Sequence, residues 1–334
     1  SDTEVEGMKL LGTFCYNPQA VFPVYFVMRV SKRPAATGFW KKQPPKQGVE
    51  AEWDKDAGNY KLYTQYGKDI AGDDVGVWFS YDMQPGEQVE VRMGVSFVSA
   101  ENARLNLEAE QQGRSFDDIR AAARRTWNDD LGRIRVEGGT EAQKKVFYTG
   151  LYHALIHPNV LSDVNGEYPA MESAEIRTAE GNRYTVFSLW DTYRNLHQLL
   201  TLVYPERQLE MVRSMVGMYR EWGWLPKWEL YGRETFTMEG DPSIPVIVDT
   251  WMKGLRDFDM DAAYEAMRKS ATTPGARNRM RPDIDPYIEK GYVPLGFYAR
   301  DLSGDNSVSH ALEYYIADHA LSLPVSYTHL TLPT

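Results

Sequence analysis

Three short strings in this chain carry side chains suited to acid–base work or to the binding of hydroxyl groups. The first runs from Ser307 through Tyr315 and places Glu313 on a helix that Ser307 or Ser309 could cap. Leu312, Tyr315, Ile316 and His319 form an apolar stripe to one side of Glu313. A carboxyl flanked in this way has its ionised form desolvated, which raises its pKa toward the range of a general acid. The plainer alternative is a surface glutamate of an ordinary helix. The second string, Ser188-Leu-Trp-Asp-Thr-Tyr-Arg194, puts Trp190, Asp191 and Arg194 at the start of a helix. Asp191 suits the positive end of the helix dipole, and Arg194 lies on the same face one turn later. The two could jointly bind vicinal hydroxyls or form a structural pair. The third is the turn Gly223-Trp-Leu-Pro-Lys-Trp228, with indoles at Trp224 and Trp228.

Gly240-Asp-Pro242 stands just ahead of a further helix, and Pro242 fits its first turn. Asp241 is then free to cap that helix or to face a ligand. Asp249, inside the helix, needs a partner if buried and is the poorer ligand. His153 and His157 sit four residues apart, a spacing that can bind a metal on one helix face. Neither a third His nor a Cys or Glu completes a set nearby, so core or interface histidines are the plainer reading. The sequence has no Gly-rich phosphate loop and no convincing Ser or Cys nucleophile arrangement.

These strings need a scaffold, and its character changes along the chain. The first hundred residues read as strands, with Phe22–Val30, 75–81 and 89–98 rich in Val, Phe and Tyr. In the last of these, Val89, Val91, Met93 and Val95 share one face. Turn signals separate the strands, among them the Pro-Pro at 44–45 and the Ala-Gly at 57–58. An antiparallel sandwich is the natural expectation for residues 1–100. Residues 101–139 then read as one or two connecting helices. From residue 140 to 324 helical spacing recurs at 143–156, 191–203, 208–222, 245–258 and 309–322. The expectation there is a helical toroid whose loops build a site at one end.

Composition narrows the function class. The 334 residues carry 43% hydrophobic and 25% charged side chains, as expected of globular domains. No apolar run approaches the roughly 20 residues of a membrane span. The net charge of −10 repels polyanions, so nucleic acid is not the expected partner. Cys15 is the only cysteine and forms no intrachain disulfide. Nine Trp and 21 Tyr suit the apolar C–H faces of sugar rings, although a large aromatic core would use them equally well. Residues 325–334, Val-Ser-Tyr-Thr-His-Leu-Thr-Leu-Pro-Thr, resemble the translation of a transposon-end sequencing adapter and are set aside from fold reasoning.

Seven strings in fixed order carry a resemblance that none carries alone. They are residues 96–110 (Ser-Phe-Val-Ser-Ala-Glu-Asn-Ala-Arg-Leu-Asn-Leu-Glu-Ala-Glu), 147–153 (Phe-Tyr-Thr-Gly-Leu-Tyr-His), 187–194, 223–228, 240–242, Gly291-Tyr-Val-Pro294 and Ser309-His-Ala-Leu-Glu-Tyr-Tyr315. Together they resemble family 92 of the glycoside hydrolases over most of residues 88–323. The resemblance implies an N-terminal β-sandwich, a helical linker and an (α/α)6 toroid, the first and last only in part. It also implies calcium-dependent, inverting, exo-acting hydrolysis of α-mannosides, with a mannose-containing glycan as partner. A bacterial periplasmic or cell-surface home follows from the same resemblance. Glu313 matches the family's general acid, and Trp190, Asp191, Arg194, Trp228 and Asp241 would line the terminal-mannose subsite.

An inverting enzyme also needs a base, roughly 6.5–9.5 Å from the acid. The family's Gly-Asn-Asp-like string for the base does not occur here. Nor does Glu-Gly-Asn-Ala-Trp-Gln, which belongs with the calcium site. The expectation is therefore a chain truncated at both ends, with little or no activity of its own and with unknown metal ligands. The family's Leu-Glu-Tyr-Ala-Tyr-Asp-Asp-Trp also departs here, where Ile316-Ala317-Asp318-His319 follows Tyr315. Another inverting (α/α)6 glycosidase or phosphorylase, or a mannose-binding protein without catalysis, would share many of these features.

Overall fold

The computed structural model describes residues 2–14, 17–42, 53–54, 59–60, 62–66, 69–72, 74–296 and 306–330. Cys15, the turn signals at 44–45 and 57–58, and residues 331–334 lie outside the described residues. The chain divides into two compact units, residues 1–7 with 26–94, and residues 8–25 with 95–334.

Strands come first in the chain: β1 (Glu4–Leu11), β2 (Phe22–Val30), β3 (Ala36–Lys42), β4 (Trp53–Asp54), β5 (Asn59–Tyr60), β6 (Leu62–Tyr66), β7 (Val75–Ser80) and β8 (Val91–Ser96). They form sheets in the orders β1-β2-β8 and β6-β3-β7, with β4 and β5 as a separate pair. Strand β3 runs antiparallel to both of its neighbours. Across β3 and β7, Gly38 faces Trp78 and Gly76 faces Trp40, so each indole lies over a strand glycine. The alternation in β8 puts its apolar side outward: Val91, Met93 and Val95 are exposed, while Gly94 and Ser96 are buried.

The larger unit is mainly helical. α1 (Ala100–Gln111), α2 (Phe116–Leu131) and α3 (Glu141–Ala154) follow one another, each opened by a side-chain cap. Ser115 with Asp118, and Thr140 with Gln143, form reciprocal capping boxes that satisfy otherwise orphaned backbone N–H groups. Short strands β9 (Asn159–Val160), β10 (Glu167–Pro169), β11 (Ile176–Thr178), β12 (Tyr184–Thr185) and β13 (Phe187–Ser188) come next. After them come α4 (Leu189–Thr192), α5 (Leu196–Val203), α6 (Pro205–Trp222), β14 (Trp228–Leu230), β15 (Arg233–Glu234), α7 (Ser243–Met252), α8 (Met260–Thr272), α9 (Ile284–Lys290) and α10 (Ser307–Leu330).

Two expected helices differ in shape. The one expected at 191–203 is split into α4 and α5, because Tyr193 and Arg194 leave the helix where they meet Glu313. α3 stops at Ala154, so His153 and His157 do not share a helix face, and both side chains are exposed. α8 and α9 were not legible as helices in advance. α8 is nonetheless amphipathic, with Asp259 capping it and Ala263, Ala266, Met267 and Ser270 buried.

The core of this unit lies between α5, α6, α7, α8 and α10. Met211, Val212, Met215 and Val216 of α6 meet Ile244, Val246, Ile247 and Val248 of α7, with Ala317 and Ala320 of α10 in the same cluster. Small alanines let α10 lie close to its neighbours, which fixes the helix that carries Glu313. Residues 8–25 belong here too. The Asn17 side-chain amide donates to the Glu234 carbonyl at 2.8 Å, and the Phe22 ring centroid is 4.7 Å from that of Tyr231.

Candidate active site

Strand pairing brings two of the strings together. β13 pairs antiparallel with β14, so Ser188 lies opposite Trp228. β15 completes the sheet, with Glu234 opposite Glu229. Both of these glutamates are fully buried and are satisfied locally. Glu229 accepts from the Thr185 hydroxyl at 2.8 Å and from the Gly232 and Val186 N–H groups at 2.6 and 3.1 Å. Glu234 accepts from the N–H groups of Lys227, Trp228 and Phe236. Burial pushes the Glu229 carboxyl up to about 7, and it raises Glu234 as well. The two carboxyls thus brace the turn that presents Trp228.

Glu313 sits where the split between α4 and α5 meets α10. The Tyr193 hydroxyl donates to its Oε2 at 2.7 Å, and Arg194 Nη2 donates to its Oε1 at 2.8 Å. The Glu313 side chain is 12% exposed and that of Arg194 46%, so the pair opens to solvent on the arginine side. The Arg194 guanidinium lies 4.8 Å from the ring centroids of both Trp190 and Tyr193, a cation–π arrangement that fixes its plane. Burial, with the bond to Glu313 adding to it, pushes the Tyr193 phenol up to about 12. On its other flank Glu313 touches the backbone of Gly240. A Cβ there would stand 2.6 Å from Glu313 Cβ, and Gly240 has φ +78°, so only glycine fits without displacement.

These surroundings differ from the apolar flank expected from the sequence. Leu312, Tyr315, Ile316 and His319 are exposed, and α10 buries His310, Ala311, Tyr314, Ala317 and Ala320 instead. Both stripes have helical spacing. The buried one combines small residues with groups that find polar partners: Tyr314 donates to Asp283 at 2.5 Å, and His310 Nδ1 lies 3.1 Å from Asp283 Oδ2.

The other expected residues fall into two sets. Trp190 and Arg194 adjoin Glu313, and Trp228 is linked to their string through the strand pair with Ser188. Asp191 is exposed and accepts from the Ser188 hydroxyl, whereas Arg194 turns to Glu313; the Asp191–Arg194 partnership is not made. Asp241 is buried and committed to Arg281 Nε at 3.0 Å and to the Ser270 hydroxyl at 2.5 Å. It does not cap α7, whose N-cap position is Pro242. Asp249 pairs with Lys253 at 2.7 Å.

Tyr193, Gly240 and Arg281 were not singled out from the sequence. The first two lie inside or beside the strings that were, and could have been found there. Arg281 had no local signal. Among the described residues no three His, Cys, Asp or Glu side chains converge to hold an ion, and the acidic groups near Glu313 already have partners. The described residues therefore do not by themselves make a calcium site, and the chemistry below uses none.

Comparison with known proteins follows the same lines. The model of the glycosyl hydrolase family 92 catalytic domain matches residues 102–325, and that of the family 92 N-terminal domain matches residues 1–96. An uncharacterised secreted glycosidase of Arthroderma benhamiae is 27% identical over 245 residues, which are 71% of this chain and 27% of that protein. A family 92 α-mannosidase of Bacteroides thetaiotaomicron, solved with mannoimidazole, is 31% identical with a TM-score of 0.79. The match covers 96% of this chain and 39% of that one. A family 92 inverting mannosidase of the same organism is 28% identical with a TM-score of 0.82, covering 96% and 40%. The chain thus spans well under half the length of these relatives.

Proposed function

Because this chain belongs to glycoside hydrolase family 92, we propose that it carries the proton donor and part of the sugar subsite of an inverting α-mannosidase. The substrate would be a terminal non-reducing α-mannoside, such as the α-1,2-mannosides of N-glycans. The observation that carries this reading is Glu313, held by Tyr193 and Arg194 against Gly240, with the Arg194 side chain half-exposed to solvent.

In this reading protonated Glu313 gives its proton to the glycosidic oxygen as the bond to C1 breaks. A water deprotonated by a second carboxylate attacks C1 from the opposite face. Tyr193 and Arg194 fix the orientation of the Glu313 carboxyl, and both can support the carboxylate left after transfer. Trp190, Trp228 and Asp191 face the sugar, and Arg194 reaches its hydroxyls from the exposed side of the ion pair. Asp241 supports the site from behind through Arg281. The family's Gly-Asn-Asp-like string for the base does not occur in the sequence, so turnover by the 334-residue chain is expected near background. Calcium, which the family resemblance implies, and export from the cytoplasm, favoured by the secreted relative, belong to the same proposal.

Calorimetric titration with methyl α-mannoside tests it. Binding should weaken at least tenfold in Arg194→Ala and in Asp191→Ala. Unchanged affinity in both would remove the sugar subsite from this place. Release of mannose from 4-nitrophenyl α-mannoside should stay near background with or without calcium; efficient release would overturn the assignment of the base to another segment.

A further inference from the structure

A second cavity, of about 200 Å3, opens among Trp222, Trp224, Phe236, Glu172, Arg277 and Arg279. None of the residues assigned to the mannose site lines it. Its volume is below the roughly 300–1,000 Å3 of drug-sized sites and is of the order that suits one sugar ring. Gln19 adds an amide to the lining.

The walls are fixed in place. The Arg279 guanidinium lies 3.5 Å from the Phe236 ring centroid, and the Trp222 and Phe236 rings are 6.2 Å apart. Glu172 accepts from the Glu234 N–H at 2.7 Å. Glu172 and Phe236 both hold left-handed backbone, φ +51° and +56°, which non-glycine residues adopt rarely and which clusters at ligand sites. Hydrogen bonds from their own N–H groups, Glu172 to the Gly232 carbonyl and Phe236 to Glu234, keep them there. Arg277, by contrast, is exposed, and its guanidinium has no partner among the described residues.

Flat rings beside a carboxylate, an amide and guanidinium donors match a pyranose, with apolar C–H faces and a rim of hydroxyls that both donate and accept. The cavity lining is tied to the Trp228 turn through Glu234, whose Oε1 accepts from the N–H groups of both Phe236 and Trp228. Phe236 leads in four residues to Gly240, Met280 of the lining precedes Arg281, and Trp224 stands on the turn that ends in Trp228. We infer that this cavity is an accessory subsite for a neutral hexose, holding a further sugar of a glycan whose terminal mannose lies at Glu313. The inference rests on the mannoside reading above for the identity of the glycan.

Calorimetry with methyl α-mannoside and with an α-linked mannotriose tests it on the intact chain. Mannotriose should bind at least tenfold more tightly. That advantage should fall below threefold in Arg277→Ala and in Trp224→Ala, with the thermal midpoint followed to show that both variants fold. Arg194→Ala should weaken both ligands and leave their ratio unchanged. Equal affinity of the wild type for the two ligands overturns the subsite, as does an advantage that survives both cavity variants. Displacement of mannotriose by inorganic phosphate at equal concentration marks an anion site instead and also overturns it. Mannotriose bound through Arg277 and Trp224, with no Arg194-dependent binding of methyl α-mannoside, would sink the mannose site at Glu313 and leave the subsite standing.

Discussion

Arg281 is fully buried and joins the segment after Gly240 to the helix that carries Glu313. Its Nε donates to Asp241 at 3.0 Å, and its Nη1 lies 2.8 Å from Asp318 of α10. The second contact is an ion pair with Asp318 at the edge of the buried site. At 3.0 Å, with an effective dielectric of about 20, the attraction to Asp241 is about 5.5 kcal/mol before solvation is counted. Arg281→Met keeps most of the stem volume but strands Asp241, 4% exposed, with Ser270 as its remaining partner. Asp318, whose side chain is 37% exposed, can turn to water and loses less. Removing one partner of a buried pair costs about 3–5 kcal/mol, a large share of the roughly 5–15 kcal/mol that hold a domain together. Urea denaturation followed by tryptophan fluorescence measures it. Asp241→Asn combined with Arg281→Met should recover about half the loss, since no charge is then left buried without a partner. A loss under about 1 kcal/mol for Arg281→Met, or a double variant no more stable than the single, would refute the account of Arg281 as the clamp.

Other expectations concern the same unit. Gly240→Ala should destabilise by about 1–3 kcal/mol, from a left-handed backbone and a Cβ forced against Glu313, and should weaken methyl α-mannoside binding in the same titration. Two buried groups should give opposite pH dependences. Glu229 is raised by burial to about 7, so its protonated form is the one that folding favours. Its contribution is present at low pH and is lost as pH rises through 7, by about 3 kcal/mol in all. His197, which burial pushes down to about 4, contributes stability above pH 6.5 that is lost as pH falls through 4. The two slopes oppose one another between about pH 4.5 and 6.5. Glu229→Gln should therefore leave stability rising with pH in that window, and His197→Gln should leave it falling, as read by thermal midpoints across buffers. Deleting residues 325–334, which the family match barely enters, should leave the midpoint unchanged and lower light scattering on heating.

The order of elements was legible because it is written locally. Richness in Val, Phe and Tyr marked β2 and β7, while the caps of Ser115 with Asp118 and Thr140 with Gln143 came to light only in the structure. Side-chain direction was not legible in the same way. α10 has two stripes of helical spacing, and only its contacts with α7, α8 and Asp283 decide that Tyr314 goes in and Tyr315 stays out. The same holds for Asp241. Its place before Pro242 suggested a cap or a ligand, and an arginine 40 residues further on claims it instead. Arg194 was found, but its partner was misjudged, since Asp191 is near in sequence and Glu313 is near in space. Local chemistry named Glu313, Arg194 and Trp190, and long-range pairing brought Tyr193 and Gly240 to them and assigned their partners.

The helical unit draws residues 8–25 into itself across a stretch of chain that belongs to the strand unit. With Asn17 bonded to the backbone of Glu234 and Phe22 against Tyr231, this part of the fold is finished by residues that lie some 200 positions earlier in the chain. A gene cut between residues 96 and 102, where the two family models part, would separate the helices from their own first strand-side segment. Such a domain does not travel as a cassette. Recombination at that junction would deliver a helical module without Asn17 and Phe22 beside Glu234 and Tyr231.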